Sequence, residues 1–189
     1  MRHHTICCAG LGKTIQVISF FALLRHRNTK GPYLVVAPLA TIPNWMKEFK
    51  KWLPDCPVLL YHGMKAEREQ MRSKKMSTSQ QEQNTFPIIV TSFEIAMVDR
   101  AYLQRYDWKF LVVDEGHRLK NRNCRLIKEL KQLPSASRLL LTGTPIQNSL
   151  EELWSLLNFV NPQIFDSLHI FQVCFPFLLF FPSVNGCAL

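Results

Sequence analysis

Five short runs in this chain are apolar at nearly every position: Tyr33–Ala37, Val58–Tyr61, Ile88–Thr91, Phe110–Val113 and Leu139–Thr142. A strand exposed on one face alternates apolar with polar residues, whereas one covered on both faces reads as a continuous apolar run. All five are therefore predicted as buried strands of a parallel sheet. Between and around them, Lys13–Arg25, Thr41–Trp52, Cys124–Lys131 and Glu151–Phe159 carry apolar residues at the spacing of helices that bury one face. Strand alternating with helix predicts an α/β fold, with helices on both faces of the sheet and right-handed crossovers. In such sheets chemistry collects at the carboxyl ends of the strands.

Two segments break the pattern. Lys74–Thr85 is polar without apolar periodicity and is predicted as a surface loop. From Phe171 to Leu189 the character changes abruptly to a phenylalanine-rich run broken by Pro176 and Pro182. That run is too short and too interrupted for a spanning helix, which needs about 20 apolar residues. Left exposed, it favours aggregation.

At 189 residues the chain is long enough for one α/β domain and short for two. Its net charge of +9 favours a polyanionic partner without choosing among DNA, RNA and an acidic membrane surface. The six cysteines form no CxxC pair, and the opening residues are too few and too polar for a secretory leader. Reduced thiols in an intracellular protein are expected.

The candidate chemistry sits at strand ends. Gly10-Leu11-Gly12-Lys13-Thr14 opens the first predicted helix. Backbone N–H groups in such a turn, backed by a helix N-terminus, cradle phosphate oxygens. Lys13 would reach the β- and γ-phosphates and the Thr14 hydroxyl would ligate Mg²⁺. The full phosphate-loop pattern places its first glycine where Cys7 stands, so half of the pattern is present. Phe110–Val113 then delivers Asp114 and Glu115, two adjacent carboxylates where burial is otherwise costly. Asp114 suits Mg²⁺, and Glu115 suits orienting and deprotonating an attacking water. A third strand ends in Thr142-Gly143-Thr144-Pro145, a turn that could couple the carboxylates to a bound nucleic acid. Each motif alone has a plain reading as a cap or turn; the three in this order describe an NTPase.

These motifs carry a resemblance. Gly-Leu-Gly-Lys-Thr, Asp114-Glu-Gly-His117-Arg-Leu-Lys120-Asn121 and Leu-Thr142-Gly-Thr144-Pro-Ile-Gln-Asn are similar to motifs I, II and III of the Swi/Snf branch of helicase superfamily two. Val36–Trp45 resembles motif Ia, Thr91–Glu94 the family's Thr-Ser-Tyr-Glu element, and Glu152–Phe159 the helix after motif III. The resemblance runs from about Gly10 to Leu168. It implies the first RecA-like lobe of a P-loop NTPase, spanning 1–170, with 171–189 a tail outside the pattern. It implies ATP and Mg²⁺ as cofactors, and double-stranded DNA and nucleosomes as partners. It leaves room for an accessory protein, implies residence in the nucleus and requires no membrane. Pro38, Thr41, Thr91, Ser92, His117, Lys120 and Asn121 would serve DNA contact or coupling with Thr142, Gly143 and Thr144, while Trp45 and Trp154 would be core.

The departures also matter. Cys7-Cys8-Ala9 stand where the family has Asp-Glu-Met, and the strand upstream is expected to be absent. Motifs IV to VI, with the second-lobe arginines, are missing; such an arginine is worth about 10³–10⁵ in rate. The chain is therefore read as a truncated or mis-joined product, binding nucleotide weakly and hydrolysing it barely. Two rivals are a small P-loop kinase or GTPase, for which no lid or base-specificity motif is present, and a non-catalytic DNA- or partner-binding isoform.

Overall fold

The computed structural model describes residues 5–8, 12–29, 31–77, 86–119, 124–143 and 150–180. Among them six strands, β1 (Thr5–Cys8), β2 (Tyr33–Ala37), β3 (Val58–Tyr61), β4 (Ile88–Ser92), β5 (Trp108–Val113) and β6 (Ser135–Thr142), form one sheet in the order β1-β6-β5-β2-β4-β3. Every neighbouring pair is parallel. The helices are α1 (Lys13–His26), α2 (Ile42–Trp52), α3 (Lys65–Lys75), α4 (Phe93–Val98), α5 (Arg100–Leu103), α6 (Arg125–Lys131), α7 (Leu150–Val160) and α8 (Leu168–Phe180).

Burial on both faces explains the apolar runs. Tyr33, Val35, Ala37, Ile88, Val90, Val112 and Leu141 pack with Val17, Ile18 and Phe21 of α1 and Ile42, Trp45 and Phe49 of α2. The alternate residues Leu34, Val36, Ile89, Leu111, Val113 and Leu140 pack on the opposite face with Phe93, Leu103, Ile127 and Phe159. Successive strand residues thus feed two cores, as a period of two demands. The α/β expectation holds.

The structure corrects the sequence reading in two places. A strand does precede the glycine turn: β1 pairs with β6, with Cys8 opposite Thr142. The run Thr-Ile-Cys-Cys is only four residues long, and its strand character depends on the partner it finds in β6. Lys74 and Lys75 belong to the end of α3 rather than to a loop; residues 78–85 of that predicted loop lie outside the described residues.

Helix α3 escaped the apolar-periodicity test because its inner face is made of arginines. Arg68 Nε and Nη2 donate to Asp99 Oδ2 and Oδ1 at 2.7 and 3.1 Å, and Arg72 Nη1 donates to Oδ2 at 3.1 Å. The Tyr61 hydroxyl also donates to Asp99, and the Arg72 guanidinium lies 3.8 Å from the centre of the Tyr102 ring. Arg68 and Asp99 are buried. This cluster joins α3 to the end of β3 and to the α4–α5 junction. A second buried cation, Arg138 on β6, donates to the Phe159, Lys131 and Leu133 carbonyls at 3.0, 3.1 and 3.3 Å. Helix C-termini carry partial negative charge, and Arg138 satisfies the ends of α6 and α7 together. Burial pushes its pKa down to about 10, which leaves it charged at neutral pH.

After Phe171 the chain continues as α8 through Phe180. Among the described residues, no helix is long and apolar enough to cross a membrane.

Candidate functional site

Parallel pairing sets the strand ends side by side. Val36 lies opposite Val113, Ala37 opposite Ser92, Val113 opposite Leu140 and Cys8 opposite Thr142. Pro38, Asp114 and Gly143 therefore leave the sheet along one carboxyl edge.

Gly12 precedes α1 with φ 68°, a left-handed conformation that suits glycine because it has no Cβ. Lys13 and Thr14 follow as the first residues of the helix, both partly exposed. The Gln16 N–H donates to Gly12 O at 3.0 Å and fixes the first turn. On the next strand but one from β1, the buried carboxylate of Asp114 is held at both oxygens. Trp45 Nε1 donates to Oδ2 at 2.9 Å and the Glu115 N–H donates to Oδ1 at 2.9 Å. The Asp114 N–H in turn donates to Val36 O at 2.9 Å.

Glu115 stands at φ 50°, left-handed for a residue with a side chain. Such backbone costs about 1–3 kcal/mol and persists only where its surroundings hold it. Here the Asp114 carboxylate holds its N–H, and the next residue has no side chain to accommodate. A Cβ on Gly116 would lie 2.5 Å from Leu140 Cδ1 and 2.6 Å from its Cγ, inside the core. Gly116→Ala is accordingly expected to destabilise the fold by about 1–3 kcal/mol through overpacking, visible as a lower midpoint in thermal unfolding followed by circular dichroism.

The three motifs converge at Gly143. A Cβ placed there would lie 3.3 Å from Lys13 Nζ and 3.5 and 3.6 Å from the two carboxylate oxygens of Glu115. The Lys13 ammonium and the Glu115 carboxylate thus face one small space, floored by a glycine. Thr142, just before it, is buried.

The remaining sequence candidates divide. Thr41 opens α2: its hydroxyl and N–H both donate to Pro38 O, at 3.0 and 2.9 Å, and it is partly exposed. Pro38 is buried. Thr91 and Ser92 are also buried. Thr91 Oγ1 donates to Tyr61 O at 2.8 Å, and Ser92 Oγ accepts the Ile95 N–H at 3.2 Å. Their hydroxyls tie down the end of β4 and the start of α4. His117 lies in a 3-10 turn, Gly116–Leu119, after Glu115. Gly10, Lys120, Asn121 and Thr144 lie outside the described residues. Trp154 is buried, and so is Trp45, which the sequence reading placed in the core; its indole also reaches the site. A tryptophan at the start of a helix that leaves the same sheet edge was the available signal.

A profile of the SNF2-related domain matches residues 8–178. The chain is 53% identical over 169 residues to the lymphoid-specific helicase of Homo sapiens, covering 88% of this chain and 20% of that protein. It is 50% identical over 169 residues to the ATP-dependent DNA helicase DDM1 of Arabidopsis thaliana, covering 89% and 22%. Among solved structures it resembles the Sulfolobus solfataricus SWI2/SNF2 ATPase core in complex with dsDNA. The TM-score is 0.75 at 33% identity, over 90% of this chain and 34% of that one. The chain thus spans about a fifth of the curated relatives named here and about a third of the solved ATPase core. With the profile covering nearly its whole length, and a parallel sheet that sets motifs I, II and III along one edge, the chain belongs to the SNF2-related domain family.

Proposed function

We propose that this chain is the first, nucleotide-binding lobe of a DNA-dependent ATPase that translocates on double-stranded DNA and remodels nucleosomes in the nucleus. The observation that carries this reading is the convergence of Lys13 and Glu115 on Gly143, beside a buried Asp114. Lys13 would neutralise charge on the β- and γ-phosphates, and Glu115 would accept the proton of the attacking water. The residues fit a magnesium ion. Asp114 and Thr14 offer the hard oxygen ligands that Mg²⁺ takes, and each Asp114 oxygen keeps lone-pair capacity beyond the one donor it meets among the described residues. Held by these residues, Mg²⁺ would supply positive charge that offsets that of the phosphates.

DNA contact is assigned to the turn Pro38–Thr41 and to Lys120 and Asn121, with His117, Thr142, Gly143 and Thr144 coupling it to the nucleotide. Such contacts to phosphate position a protein without reading sequence, and the net charge of +9 suits them. Arginines from a second lobe would complete the catalytic site, so this chain by itself would bind nucleotide without turning it over. We divide it into a lobe at 1–170 and a tail at 171–189, although the family match continues to residue 178. A second reading is a non-catalytic module that acts by binding DNA or a partner, and the net charge of +9 favours the DNA.

Calorimetric titration of the 189-residue chain with Mg·ATP tests the first reading. Saturable binding of one equivalent is expected, and no binding would overturn it.

A further inference from the structure

We infer that Trp45 is a positioning residue for the metal-binding carboxylate: its indole N–H sets the orientation of Asp114 and thereby the affinity of the site for Mg·ATP. The inference rests on the nucleotide-site reading above and adds to it a residue from a different element.

Trp45 is 1% exposed, in the first turns of α2, and packs with Phe49 at a ring separation of 5.9 Å. A tryptophan held by packing alone could place its N–H in any polar gap. This one donates to Asp114 Oδ2 across 69 residues of sequence, from the helix that follows β2 to the end of the neighbouring strand β5. Asp114 is 7% exposed and its other oxygen accepts the Glu115 N–H. With one donor fixed on each oxygen, the carboxylate plane cannot rotate freely. The lone pairs left over are aimed by those two bonds. Partners that orient a ligating carboxylate change metal affinity or activity about 10–100-fold when removed. The backbone N–H of Trp45 donates to Thr41 O at 3.1 Å, so the residue that aims Asp114 sits one helical turn from the Pro38–Thr41 turn.

The experiment compares the 189-residue chain with Trp45→Phe, which keeps an aromatic ring in the core and removes the N–H. Trp45→Phe is expected to weaken Mg·ATP binding about 10-fold or more and to leave the affinity for ATP in the absence of Mg²⁺ unchanged. A merely structural tryptophan would lower both equally or neither, and either result overturns the inference. A second readout needs no variant at position 45. The Trp45 indole resonance in ¹H–¹⁵N spectra, assigned by replacing Trp52, Trp108 and Trp154 one at a time, is expected to move on adding Mg·ATP and far less with metal-free ATP. If Trp45→Phe fails to fold, that resonance decides, and a signal indifferent to Mg²⁺ rejects the role. The two readings fail differently. Wild-type chain that binds no nucleotide removes the site reading and this inference together, whereas Lys13-dependent binding that Trp45→Phe leaves intact removes this inference only.

Discussion

Replacing Asp99 with alanine is expected to lower the stability of the fold by about 3–5 kcal/mol, because removing one partner of a buried ion pair leaves the other charge uncompensated. Arg68, on the other side of the pair, is 6% exposed and cannot turn to water without moving α3. Arg72 and Tyr61 lose the same acceptor. Since a domain is commonly stable by only about 5–15 kcal/mol, this single change takes a large part of the margin. Asp99→Asn, which keeps the shape and removes the charge, is expected to act in the same direction. Urea unfolding followed by circular dichroism measures both.

The same cluster fixes the sign of a pH dependence. Burial pushes the Asp99 carboxyl up, but the bonds from Arg68 and Tyr61 and the charges of Arg68 and Arg72 outweigh it and hold the pKa below the ordinary carboxylate value. A carboxyl depressed on folding contributes stability that is present above its unfolded pKa, about 3.9 for aspartate. That contribution is lost as pH falls through the lower folded value. Wild-type stability should therefore decline on acidification below about pH 4, and Asp99→Asn should lose that part of the decline.

Lys13→Ala is expected to weaken Mg·ATP binding by about 10–100-fold. A hydrogen bond from a charged donor contributes about 1.5–3 kcal/mol, and each 1.4 kcal/mol is about a factor of ten in affinity. Among the described residues, no hydrogen bond or ion pair ties the Lys13 ammonium into the core. It is partly exposed and directed to the space at Gly143, so the fold should survive its loss with an unchanged melting temperature. That separation of binding from stability is the signature of a ligand-facing residue.

The strands were legible because each is covered on both faces, and a residue such as Val35 or Val36 has no polar option whichever way it points. The motif order was legible because strand, turn and helix place Lys13, Asp114 and Gly143 at one sheet edge by topology alone. Four features were not. Helix α3 hides its inner face in Arg68 and Arg72, which apolar periodicity scores as solvent-facing. Thr91 and Ser92 carry hydroxyls whose partners in the chain, the Tyr61 carbonyl and the Ile95 N–H, no local pattern names. Trp45 looked like core and is core; that its N–H meets a carboxylate 69 positions away is signalled only by the sheet edge their elements share. Nor does the spelling Asp-Glu-Gly reveal that Glu115 is left-handed, with its N–H donated back to the Asp114 carboxylate.

The most direct measurement is ATP turnover by the purified 189-residue chain, with and without double-stranded DNA, beside Lys13→Ala and a parallel Mg·ATP binding titration. A first lobe without its second should bind Mg·ATP in a Lys13-dependent way and release no phosphate above background, whether or not DNA is present. DNA-stimulated turnover that Lys13→Ala abolishes would contradict this, since it would mean that these residues form a complete catalytic site or obtain the missing groups from another copy of the chain.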